Sequence, residues 1–125
     1  MAFTFIMKIV KLKNNYDFRR VYKKGKSYVC PFFVIYINPN RNSNIRLGIT
    51  VGKKIGNAVK RNRAKRVITA AFSSVYPQIM AGNDFVIVAR TRILNVKSTK
   101  IAELLLKLLN EHGALNLISN ENTVN

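Results

Sequence analysis

Residues 53–66 read Lys-Lys-Ile-Gly-Asn-Ala-Val-Lys-Arg-Asn-Arg-Ala-Lys-Arg, seven cations in fourteen residues with no acid among them. The run opens a helical pattern that one core cannot bury from end to end, and so it constrains the fold more than any other segment. At about 100° per residue, Val67, Ile68, Ala71, Phe72 and Val75 gather on one side of a helix over 57–75, which ends before Pro77. In the first two turns charge surrounds the axis. Lys60 and Arg61 extend the apolar stripe, Asn62, Arg63 and Arg66 cover the opposite side, and Lys65 lies on a flank. Unpaired charges cannot enter an apolar interior. The helix must therefore pack by its second half and present its first half to solvent or to a partner.

The partner implied is a polyanion. Between Asp17 and Asp84 there are fourteen Lys or Arg residues and no Asp or Glu, and the whole chain has a formal charge of +17. No carboxylate stands three or four residues away to pair with the basic run. Cations at a helix N-terminus also oppose the macrodipole. Phosphates reverse that cost by meeting both the side chains and the free N–H groups. Gly56, just ahead of the helix, leaves room for a backbone to come close. RNA or DNA phosphate is the expected ligand. Hydrophobic residues make up 48% of the chain, which excludes a disordered basic tail.

With 125 residues, a single domain with one modest core is expected over 1–125. A first helix fits 16–24, capped by Asn14 or Asn15, with Asp17 in its first turn and Gly25 at its stop. Residues 27–38 read as extended chain, split by Pro31, which has no N–H for a ladder. Alternation in 32–38 puts Phe33, Ile35 and Ile37 on one face and Phe32, Val34 and Tyr36 on the other. After the Asn-rich turn at 38–44, a strand over 46–51 is expected to complete a hairpin. Another strand over 84–90 follows the long helix, and this strand–helix–strand order implies a parallel pair with a crossover. The last helix, 98–110, puts Ile101, Leu104, Leu105, Leu108 and Leu109 on one broad face, with Ser98 as a cap and Gly113 beyond its end. The Asn-rich segment after Leu117 is expected to be disordered, and no repeat or linker divides the chain.

Residues able to carry chemistry are few. The acids are Asp17, Asp84, Glu103, Glu111 and Glu121, and the one histidine is His112. They fall on separate elements, whereas a two-metal nuclease needs several converging carboxylates. No Cys or His spacing suits a metal. His112, beside the end of the last helix, reads as a favourable end charge or a bystander. The lone Cys30 lies in an apolar run and reads as structural; it excludes an intrachain disulfide and fits a reducing cytosol. No segment has the roughly 18 apolar residues of a membrane span. The apolar stretch 2–7 lacks the features of a signal peptide, and Met7 offers an alternative start. Phe18 and Tyr22, with Tyr36, have two readings. They line a groove on which unpaired bases stack, or they form an ordinary helix-on-sheet core.

Lys53-Lys54-Ile55-Gly56-Asn57-Ala58-Val59, followed by Arg61-Asn62-Arg63 and Lys65-Arg66, closely resembles the signature of the protein subunit of bacterial ribonuclease P. The likeness covers about residues 8–112. Residues 12–25, with Asp17-Phe18 in place, resemble the family's first helix. Arg46-Leu47-Gly48-Ile49-Thr50-Val51 resembles its strand before the basic loop, and 84–90 its later strand. The resemblance implies an α/β fold (an α+β two-layer sandwich) on a central, mostly antiparallel four-stranded sheet. Its order would be α-β-β-β-α-β-α, with a left-handed β-α-β crossover where right-handed ones are the rule.

The resemblance also implies a division of labour in the cytoplasm, with one protein on each catalytic RNA. The RNA subunit would carry the active site and its Mg2+ and cleave the 5′ leader from precursor tRNA. The protein, with no catalytic residue or metal of its own, would bind leader and catalytic RNA and strengthen the binding of functional Mg2+. Carried over by position, Arg61, Asn62, Arg63, Lys65 and Arg66 would grip the catalytic RNA, with Lys53, Lys54, Asn57 and Lys60 close by. Phe18, Tyr22 and Tyr36 match the leader-binding cleft, expected on the side opposite the basic helix, and Arg90 its edge. The apolar N-terminus and the Asn-rich tail depart from the family pattern. The alternative is a structural rRNA-binding (ribosomal-type) protein or RNA chaperone, for which an aromatic groove is unnecessary. A membrane-surface protein fits poorly, because the charged half of the long helix has no broad apolar face.

Overall fold

The computed structural model describes residues 9–41 and 43–116. The chain runs β1 (Val10–Lys11), α1 (Asn15–Lys24), β2 (Lys26–Val29), β3 (Phe33–Pro39), β4 (Arg46–Thr50), α2 (Ala58–Val75), β5 (Asn83–Ala89) and α3 (Ser98–His112). Short 3-10 turns stand at Lys53–Ile55, Tyr76–Gln78 and Thr91–Asn95. The apolar stretch 2–7 and the segment after Leu117, on which two expectations fell, lie outside the described residues.

The strands form one mixed sheet in the order β1-β4-β5-β3-β2. β4 pairs in parallel with β1 and with β5, while β3 runs antiparallel to β5 and to β2. The expected four-stranded, mostly antiparallel sheet is thus corrected to five strands, half of whose pairings are parallel. The added strand, β1, has only two residues, too few to show a period. It pairs with Arg46 and Leu47 alone, and Leu12 donates its N–H to the Leu47 carbonyl at 3.0 Å.

The expected hairpin between β3 and β4 is also corrected, because β5 lies between them. The physical reason is in β5 itself. Phe85, Val86 and Ile87 are all buried, so the strand needs cover on both faces, as a central strand has. The loop after β3 is tied to the start of β5 by Asn40 N–H to the Gly82 carbonyl at 2.8 Å and Gly82 N–H to the Asn44 carbonyl at 3.1 Å. The local hairpin is β2–β3, turning at Pro31 with Cys30 N–H on the Phe33 carbonyl at 3.0 Å. The parallel pair β4–β5, bridged by α2, stands as expected.

Period-two alternation sorts the sheet into two faces. Phe33, Ile35, Ile37, Phe85 and Ile87 pack with Ile68, Phe72, Ile101, Leu105 and Leu109 into the main core beneath α2 and α3. On the other face α1 covers Val86 and, with Leu12 and Val21, makes a small second core to which Phe18, Tyr36 and Val88 attach. Cys30 is buried in the main core. α3 runs to His112, two residues beyond expectation, with Lys97 rather than Ser98 at its cap position. Gly113 ends it in the left-handed region at φ 85°, its N–H reaching the Asn110 and Leu109 carbonyls.

Candidate nucleic-acid interface

The cationic edge is built by a tight approach to α2. Gly52 leads into the Lys53–Ile55 turn, which buries Ile55 and leaves Lys53 and Lys54 exposed. Gly56 has φ 138°, a conformation only glycine adopts freely, and the Lys60 stem lies where a Cβ would stand, its Cδ 2.7 Å away. Asn57 then caps the helix, its Oδ1 accepting from the Lys60 N–H at 3.0 Å. Ala64, Ile68, Ala71, Phe72 and Val75 are buried, so the packing stripe begins one turn into the helix. Lys60, Asn62, Arg63, Lys65 and Arg66 are exposed, together with Val59. Arg61 differs. It is half-buried on the stripe, and its Nη1 donates to the Gly56 carbonyl at 2.6 Å, fastening helix to turn.

The aromatic residues form a groove beside this edge. Gly48 makes it possible: a Cβ there would stand 2.6 Å from both Cε1 and Cζ of Phe18, so the ring lies directly on the β4 backbone. Phe18 and Tyr22 are one turn apart on α1, with ring centroids 6.4 Å apart. Tyr36 meets Tyr22 edge-on at 5.0 Å. The Tyr22 hydroxyl and Thr50 Oγ1 are 2.7 Å apart. Phe18, Tyr22, Thr50, Arg19 and Lys65 line an open hollow of about 530 Å³. Tyr36 is not among its walls; it supports Tyr22 from behind. Phe18 thus packs on the second core and also walls the groove, while Tyr22 stays 36% exposed.

The basic helix and the aromatic groove lie on opposite faces of the sheet but meet at its edge. β1 covers only the start of β4, and past that point Lys65 of α2 reaches the hollow that Phe18 and Tyr22 line. On the other flank, Thr50 is shared with a second hollow of about 580 Å³ lined by Lys53, Lys54 and Arg90. Arg90 is exposed, with Nη1 on the Cys30 carbonyl at 3.2 Å. The groove thus runs between Lys65 at one wall and Lys53, Lys54 and Arg90 at its continuation. Sequence reasoning missed Thr50 and Arg19. Thr50 was findable, since it follows Arg46 and Gly48 by twos onto the face that α1 covers.

The two aspartates are occupied inside the molecule. Asp84 is fully buried and accepts from Arg46 Nε and Nη2, both at 2.7 Å, and from Asn40 Nδ2 at 2.8 Å. Asp17 accepts from Arg20 at 3.1 Å and lies 3.7 Å from Arg46. The Asp84 hydrogen bonds hold the Arg46 guanidinium above its ordinary pKa; burial opposes this, and the charges of Asp84 and Asp17 reinforce it. Glu103 pairs with Lys100. Among the described residues, none of Lys53, Lys54, Lys60, Arg63, Lys65 and Arg66 has an ion-pair partner.

His112 is not a bystander. Its Nδ1 lies 2.8 Å from the Tyr28 hydroxyl, and burial, aided by Lys26, lowers its pKa below the usual histidine value. Among the described residues no three of His, Cys, Asp and Glu converge on a metal. Carboxylates already held by guanidinium groups do not fit a hard divalent cation, which needs several free oxygens.

Fold and surface together define a small basic α/β protein whose cationic helix edge borders an aromatic groove. A family model described as Ribonuclease P matches residues 6–113. A "Ribonuclease P protein component" of Clostridium beijerinckii is 37% identical over 124 residues, 94% of this chain and 99% of that one. One of Natranaerobius thermophilus is 43% identical over 84 residues, 67% of this chain and 73% of its own. The Staphylococcus aureus RNase P protein structure superposes with a TM-score of 0.75 at 37% identity, covering 87% of this chain and all 100% of that one. The Thermotoga maritima RNase P protein gives 0.72 at 32% identity, covering 81% and 96%. The chain belongs to the ribonuclease P family, as a protein component of that tRNA-processing endoribonuclease.

Proposed function

We propose that this chain is the RNA-binding subunit of a ribonuclease P in which RNA is the catalyst. On this reading Asn62, Arg63, Lys65 and Arg66 grip the catalytic RNA, with Lys53, Lys54, Asn57 and Lys60 at its border, while Arg61 mainly holds the turn that presents them. Phe18 and Tyr22, backed by Tyr36, stack the unpaired 5′ leader of precursor tRNA, and Arg90 meets its backbone. Functional Mg2+ is held by the RNA, and the protein strengthens that binding without supplying a metal ligand of its own. One protein serves one catalytic RNA, in the cytoplasm, on a single domain whose β4–α2–β5 crossover is left-handed.

The observation that carries this reading is the junction at Lys65: one cation with no ion-pair partner among the described residues stands both on the basic helix and in the wall of the aromatic groove. A protein placed there can hold two RNAs side by side. The test is cleavage of a precursor tRNA by a bacterial ribonuclease P RNA at low magnesium, with and without this protein. Strong stimulation, with no cleavage by protein alone, is the expected result. Arg63→Ala should also flatten the log–log salt dependence of catalytic-RNA binding by roughly 0.7 to 0.9. Tight general RNA binding without stimulation would instead favour a ribosomal-type or chaperone role.

A further inference from the structure

A third hollow, of about 640 Å³, lies on the other flank of α1 from the aromatic groove. Its helical wall is the stripe Tyr16, Arg20 and Lys24, spaced by four residues, and its far wall is Pro39 with Arg41. Tyr16 is the most exposed aromatic ring on this side, at 64%. It is not free to drift. The Arg20 guanidinium stands 5.4 Å over one of its faces, and Arg20 is itself held by Asp17 at 3.1 Å. Asp17 and the buried Asp84 engage Arg20 and Arg46, so the acids present are spent on these two. Lys24 and Arg41 are exposed and have no ion-pair partner among the described residues.

A ring braced on one face and open on the other, with one uncommitted cation two turns along the same wall and another on the far wall, matches one ligand chemistry. We propose that this hollow binds a nucleotide of single-stranded RNA, the base stacked on Tyr16 and the phosphodiester between Lys24 and Arg41. A free phosphate would have no use for the ring, and a duplex hides its base faces. Both hollows share α1 as a wall, so a strand leaving the Phe18–Tyr22 groove over the helix meets Tyr16 on its far side. This deepens the RNA-binding reading above and rests on it.

The probe is a fluorescent oligouridylate of about 4 or about 12 nucleotides, lengths within the range that single-strand sites span. It is titrated against the full chain and against Tyr16→Leu, Arg41→Gln and Tyr22→Leu. Tyr16→Leu should weaken the longer oligomer about fivefold or more and leave the shorter one unchanged, since the shorter fills only the aromatic groove. Arg41→Gln should lower the salt slope for the longer oligomer by about 0.7. Tyr22→Leu should weaken both lengths. Loss with Tyr22→Leu but none with Tyr16→Leu overturns this site and leaves the wider reading standing; no loss with either overturns both.

Two further titrations assign the source of the strand. If Tyr16→Leu in the assembled holoenzyme weakens long-leader but not short-leader precursor, the strand is the leader. If it weakens binding of the catalytic RNA alone, the nucleotide comes from that RNA. No change in either ligand means that the hollow holds no nucleotide.

Discussion

At the scale of single residues, the groove depends on one missing methyl group. Gly48 has no left-handed backbone to justify it; its role is the close approach of Phe18, whose ring atoms stand 2.6 Å from where a Cβ would be. In Gly48→Ala the ring has to swing away. Phe18 is only half-buried, so the swing costs little, about 1 kcal/mol of stability. The groove wall moves with it, and on the proposed reading the preference for leader-bearing precursor over mature tRNA falls several-fold. Thermal unfolding and the two affinities are measured on the same variant. A large loss of stability with leader preference intact would make Phe18 a core residue and nothing more.

At the scale of elements, His112 joins the end of α3 to the β2–β3 hairpin through Tyr28. Its folded pKa is lowered, so the unfolded chain binds the proton more readily. The sign follows: the contact's stability is complete above the unfolded pKa of about 6.5 and is lost as pH falls through the lowered folded value. With one histidine in the chain, titration between about pH 5 and 7 isolates this group from the carboxylates. His112→Gln should flatten that part of the stability profile, read by denaturant unfolding at each pH. An unchanged profile would place His112 outside the folding equilibrium.

The elements also show what the residues alone could tell. α2 and α3 were legible because their apolar stripes repeat over many turns, and Pro31 marked the break between β2 and β3. Strand neighbours were not legible. β3 and β4 are adjacent in sequence with a turn between them, yet the doubly buried β5 takes the place between them. The Arg46–Asp84 pair joins residues 38 apart, and nothing in either neighbourhood announces the other. In the site, the cationic run was plain from its lack of acids. The reach of Lys65 into the aromatic groove was not, since it depends on how far β1 covers β4.

At the scale of the whole molecule, charge sets the response to solution. The chain has 22 Lys and Arg against 5 Asp and Glu, and two of those acids are absorbed by Arg20 and Arg46. What remains at the surface is mutual repulsion, which opposes the compact state. Raising NaCl from about 0.05 to about 0.5 M shortens the Debye length well below 10 Å and should raise the unfolding midpoint. The buried Asp84–Arg46 pair is screened far less, so its attraction survives the same salt. A bound oligoribonucleotide should stabilise further at fixed ionic strength, by about 2.7 kcal/mol at a hundred times its Kd. Replacing Arg63, Lys65 and Arg66 by Gln should then raise the low-salt midpoint, reduce its rise with salt, and weaken the stabilisation by RNA. A midpoint that falls with salt would mean that attractive surface pairs outweigh the repulsion, and the cationic edge would lose its reason to seek a polyanion.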